Sequence, residues 1–144
     1  MVSREWAFRF RLFRQKGEIS ITLQEVISYA DKVKPNAFDE DTKTLWINEV
    51  EGMVQLECML LHPDEAVRYE YDHDQDTELL VRPPHDKLYR SYLVAMIDWT
   101  NSEYGNYENT MSMFNAHYDE YRKWFSQNYR PADTKDRRRR SAYR

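Results

Sequence analysis

Tyr107, Met111, Phe114, Tyr118, Tyr121 and Phe125 follow one another at intervals of four, three, four, three and four residues. An α-helix, with its turn of about 3.6 residues, brings such positions onto one face as a stripe that must be covered. The chain therefore has to supply a partner surface. Its 144 residues suit one core, since domains commonly hold about 100 to 150 residues. The stripe falls short of the roughly three heptads of a coiled coil, so packing within the chain is its expected use. Pro131 closes this last long helix.

The expected partner lies just upstream. His85-Asp86 opens a helix whose Leu88, Tyr89, Tyr92, Leu93, Ala95, Met96, Ile97 and Trp99 run nearly all round it. That pattern marks the central, most buried helix. A break is expected between Asn101 and Asn106.

Two further helices precede it. Thr22-Leu23-Gln24-Glu25 matches a capping box, in which the threonine oxygen accepts from an early amide and the glutamate returns to the cap amide. Leu23, Val26, Ile27, Ala30 and Val33 follow at helical spacing until Pro35, so helix one is expected over residues 22 to 33. Phe38-Asp39-Glu40-Asp41-Thr42 places carboxylates at the start of helix two, expected over residues 41 to 61. Ile47, Val50, Val54, Cys58 and Leu61 form its apolar face, widened by Trp46, Met53 and Leu60.

His62-Pro63 stops helix two, and the period then changes. Val67-Arg68-Tyr69-Glu70-Tyr71 and Thr77-Glu78-Leu79-Leu80-Val81 flank a polar turn from Asp72 to Asp76, which reads as a β-hairpin or a long projecting loop. A lone hairpin is marginal in water, so Arg68, Tyr69, Tyr71, Leu79 and Val81 are candidate contacts to a neighbouring subunit or another partner. The expected fold is mainly α: a four-helix bundle-like domain over residues 21 to 130, with a projecting β-hairpin or long loop between helices two and three and flexible basic termini.

Charge is segregated along the chain. Residues 1 to 20 carry five basic and two acidic side chains, residues 131 to 144 six basic and two acidic, and the body between them ten basic against 21 acidic. A body charge of −11 repels phosphate, so base recognition is not expected of it. The tail run Arg137, Arg138, Arg139 and Arg140 has no apolar residue to pack. It reads either as a solubilising flexible end or as a docking tail for an acidic surface or nucleic acid. Residues 1 to 20 form a basic N-terminal extension that reads either as native or as lying upstream of the native start. The first good start signal is Thr22, and Lys16-Gly17-Glu18 can be encoded by a purine-rich stretch like a bacterial ribosome-binding site.

Three glycines leave phosphate loops and many-turned β folds poorly supplied. A single cysteine allows no internal disulfide, and no apolar run approaches the roughly 18 residues of a membrane span. Asp72, Asp74, Asp76 and Glu78 alternate as in a calcium loop, but Thr77 and Pro83 stand where glycine and a bidentate glutamate are required, so a solvated acidic turn is the reading. His62, His73, His85 and His117 lack zinc-ligand spacing, and Cys58 reads as a small buried hydrophobe. No enzyme, cofactor or metal is expected.

The layout resembles a known family through Thr77-Glu78-Leu79-Leu80-Val81-Arg82-Pro83-Pro84-His85-Asp86-Lys87-Leu88-Tyr89, Tyr92-Leu93-Val94-Ala95-Met96-Ile97-Asp98 and Asn109-Thr110-Met111-Ser112-Met113-Phe114-Asn115. These stretches are similar to those of the small head-tail connector, or adaptor, proteins of long-tailed bacteriophages and prophages. The resemblance covers roughly residues 21 to 130. It implies a virion structural protein of the neck, made in the bacterial cytoplasm, that docks on the portal protein and meets other neck and tail proteins. It further implies a homo-oligomeric ring around a channel that passes DNA without sequence recognition, and no membrane partner. The competing expectation is a small helical regulatory or host-interaction module working through its basic tail.

Overall fold

The structure, a computed structural model, describes residues 19–129. Its helices are α1 (Leu23–Val33), α2 (Glu40–Met53), the single turn α3 (Tyr71–Asp74), α4 (Lys87–Thr100) and α5 (Tyr104–Asn128). The fold is mainly helical, and among the described residues no strand forms. The proposed end regions are residues 1–20 and 131–144, of which residues 1–18 and 131–144 lie outside the described residues.

Local sequence sets the helix starts. Thr22 accepts from the Glu25 amide at 3.3 Å while the Glu25 carboxylate accepts from the Thr22 amide, completing the capping box. Asp39 caps α2 by accepting from the Thr42 amide at 2.8 Å, and the Thr42 hydroxyl first, then this amide, lower the pKa of its carboxyl. α2 ends earlier than the apolar spacing predicts. At Val54–Cys58 it widens into a π turn, with the Met59 amide bonded to the Val54 carbonyl, and Leu60 then turns the chain at φ 58°.

α4 and α5 form an antiparallel pair, with Tyr92 against Phe114 near the middle and His85 against Tyr121 and Trp124 at one end. Four of the six stripe residues, Phe114, Tyr118, Tyr121 and Phe125, are buried. α4 also packs on α1 and α2, as its all-round apolar pattern predicts. Lys34, just after α1, bridges Asp98 at 2.9 Å and Glu103 at 2.7 Å, which fastens the end of α1 to the α4–α5 turn.

The hairpin expectation needs correction. The two extended runs do not pair with each other, and one isolated antiparallel bridge joins Thr22 to Glu78 instead. The second run bonds to the entrance of α1, with the Leu79 amide on the Ile21 carbonyl at 2.8 Å and the Leu23 amide on the Thr77 carbonyl at 3.1 Å. The expected turn from Asp72 to Asp76 coils into α3. The segment does not project, because Tyr69, Leu79, Leu80 and Val81 are buried in the core. These apolar side chains gain more from the helices than from an exposed two-stranded ribbon.

Candidate functional site

The polar side chains of α2 explain where the first extended run goes. Asn48, Glu51 and Gln55 are spaced by three and four residues, so they share a face. Asn48 donates to the Tyr69 carbonyl at 2.9 Å and accepts from the Tyr69 amide at 2.8 Å. Gln55 does the same for Val67, at 3.0 and 2.8 Å. The two amides thus grip alternate residues of an extended backbone, as a neighbouring strand would, and Arg68 between them is left at the surface.

Glu51, fully buried, completes this clamp. Its carboxyl accepts from the Tyr69 hydroxyl at 2.8 Å, from the Leu80 amide at 3.1 Å and from the Tyr89 hydroxyl. The Tyr89 oxygen in turn accepts from the Val81 amide at 2.9 Å. Burial, and then the neighbouring Glu51, push the Tyr89 hydroxyl well above its ordinary pKa. One carboxyl therefore ties together both runs, α2 and α4. The arrangement fixes geometry and presents no reacting atom to solvent.

Beside the clamp lies a groove of about 380 Å³ between the first half of α2 and residues 68 to 73. Asp41, Glu70 and Asp72 contribute carboxylates, Arg68 and His73 cationic or polar counter-groups, and Tyr71 a half-buried ring. Burial first, and then Glu40, Asp72, Asp76 and Asp31, raise the Tyr71 hydroxyl pKa. Thr44 also lines the groove; it is 3% exposed, and its hydroxyl has no hydrogen-bond partner among the described residues.

The third feature is an aromatic tip at the α4–α5 turn. Trp99 packs against Tyr104 and Tyr107 with ring centroids 5.1 and 5.0 Å apart, yet Trp99 and Tyr104 remain 51% and 52% exposed. Val33, 53% exposed, precedes the Lys34 that is tied to this turn.

The sequence-level contact candidates separate accordingly. Tyr69, Leu79 and Val81 face the chain's own core, Tyr71 is half-buried, and Arg68 is exposed. Arg68, Tyr69 and Tyr71 come together along the groove, whereas Leu79 and Val81 do not join them. Arg137, Arg138, Arg139 and Arg140 lie outside the described residues. The clamp residues Asn48, Glu51 and Gln55 were missed; their i, i+3, i+7 spacing was a usable signal, hidden because polar residues on an amphipathic helix default to solvent.

Among the described residues no group of three or more His, Cys, Asp or Glu side chains is placed to hold a metal. In the acidic turn, the Asp74 carboxylate accepts from the Glu70 amide at 2.8 Å, a bond made within the turn itself. Burial pushes the Cys58 thiol up to about 11, so it is not poised as a nucleophile. Among the described residues no helix is long and apolar enough to cross a membrane. No protein-family model, no curated protein and no solved structure matches this chain.

Proposed function

We propose that the chain is a non-catalytic assembly subunit, a head-tail connector of the kind its sequence resembles, with its helices packed bundle-like around α4. It docks on a portal protein, meets other neck proteins and forms a ring around a channel that passes DNA. The observation that carries a docking role is the aromatic tip, where Trp99 and Tyr104 hold about half their surface in water. Large aromatics are enriched where proteins meet, and a cluster of them on a surface marks a contact site. The reading assigns this tip to the portal contact.

The charge distribution supports the same reading. A body with 21 acidic against ten basic side chains does not grip a phosphate backbone, which suits a wall past which DNA slides. Glu51, Asn48 and Gln55 spend their polar groups on holding the chain rigid, which suits a structural part.

The test is to mix the protein with the portal ring encoded in the same genome and image the product by negative stain. A stoichiometric added layer is expected, and the Trp99→Ala/Tyr104→Ala variant should lose it while keeping its helical circular dichroism. A bare portal with folded wild-type protein would overturn the connector reading and favour the regulatory module.

A further inference from the structure

The groove beside the clamp combines features that call for a cationic occupant. Three of its lining residues, Asp41, Glu70 and Asp72, are exposed carboxylates, against the single guanidinium of Arg68 and the imidazole of His73, which stands 3.8 Å from Glu70. Glu40, Asp31 and Asp76 extend the negative field around Tyr71. Tyr71, half-buried, adds a ring on which a guanidinium packs well. Independently of the charge, the groove is lined by Thr44, whose buried hydroxyl has no hydrogen-bond partner among the described residues. An unsatisfied buried hydroxyl is uncommon and is relieved by an incoming donor or acceptor.

We propose that this groove holds the Arg137 to Arg140 run of the same chain. Charge complementarity is direct: residues 131 to 144 carry six basic and two acidic side chains, and their four consecutive arginines are forked donors matched to carboxylates. Reach is sufficient. Tyr129, the last described residue, sits on Arg82, whose Nη2 donates to its hydroxyl at 3.0 Å. Tyr69 and Leu80 meet on the one Glu51 carboxyl, so with both side chains of the Arg82–Tyr129 contact included the Tyr129 Cα lies at most about 38 Å from that of Tyr69, while the eleven residues from Tyr129 to Arg140 extend to roughly 36 to 40 Å and the last arginine side chains reach several ångströms further. A tethered segment also competes at a high effective concentration, which favours the chain's own tail over that of another copy. The tail thereby covers the acidic groove until something displaces it. This assignment does not depend on the connector reading.

The test uses a fluorescent peptide of residues 131 to 144 and the full-length chain. In wild type the groove is filled, so the peptide should bind weakly. In the full chain carrying Arg137→Gln, Arg138→Gln, Arg139→Gln and Arg140→Gln it should bind about tenfold or more tightly, and high salt should abolish the binding. Adding Asp41→Asn, Glu70→Gln and Asp72→Asn to that chain should weaken binding about tenfold, and Thr44→Val, similar in shape, should weaken it several-fold, with helical circular dichroism unchanged. Equal peptide binding by wild type and the tail-neutralised chain would overturn the proposal, as would no binding by the tail-neutralised chain. Undiminished binding by the folded groove variant would overturn the site. A tail-dependent dimer in sedimentation would assign the groove to a neighbouring copy's tail and overturn the intramolecular form.

Discussion

At the clamp, Tyr69 and Tyr89 are buried and donate their hydroxyls to the carboxyl of Glu51; at the tip, Trp99 and Tyr104 pack edge to face while half their surface meets water. The same residue class serves opposite ends. Inside, the ring supplies packing and the hydroxyl joins a closed hydrogen-bond network, so each tyrosine has one permitted position. Outside, the rings stabilise the turn only partly and keep apolar surface for another molecule. The contrast teaches that polarity in this protein is mostly architectural at its centre, while its exposed aromatic surface lies at the tip.

Breaking the clamp should have the largest effect. Glu51→Ala leaves the Tyr69 and Tyr89 hydroxyls and the Leu80 amide without their buried acceptor, and is expected to cost about 3 to 5 kcal/mol in urea unfolding. A loss below about 1 kcal/mol would show that the network is not what holds the runs in place. Gln55→Ala should cost less, about 1 to 3 kcal/mol, since it strands one amide and one carbonyl of Val67. Increased hydrogen exchange at the Val67 amide would locate the damage.

The tip sharpens the comparison from the other side. The Trp99→Ala/Tyr104→Ala variant should cost only about 1 kcal/mol in stability, because half-exposed rings contribute partial burial, while partner binding is lost. A loss as large as that of Glu51→Ala would make the tip a structural element and erase the distinction.

The smallest effect expected concerns pH. The His85 ring lies 5.0 Å from that of Trp124 and 5.7 Å from that of Tyr121, and burial lowers its pKa from the ordinary 6.5. Glu120 and Asp86 oppose this shift and Lys87 adds to it. The unfolded chain therefore takes the proton first as pH falls. His85 contributes its full stability above 6.5 and loses it as pH falls through the lowered folded value, by under about 1 kcal/mol. His85→Phe should remove this slope from urea midpoints measured between pH 7 and 5, and an unchanged slope would count against it.

Some of this was legible in the residues. The capping box at Thr22, the proline stop at Pro35, the carboxylates opening α2 and the aromatic stripe of α5 act within a few residues of themselves, through caps, missing amides and a 3.6-residue period. They set where helices begin and which faces seek cover. Of the groove's lining, Arg68 and Tyr71 stand in a run that the sequence marks, but Thr44 and Asp41 lie in another helix, and nothing local to either joins them.

The fate of residues 66 to 81 was decided by tertiary structure. Their alternation specified an extended backbone but not its partner. Val67 and Tyr69 found theirs in Gln55 and Asn48, while Leu79 found its partner in Ile21. An extended chain must satisfy its amides and carbonyls somewhere. Helix side chains and a neighbouring segment did so here while also burying Tyr69, Leu79 and Val81, which an isolated hairpin in water cannot do. Local periodicity determined the helices, and long-range competition for hydrogen bonds and apolar cover determined what lies between them.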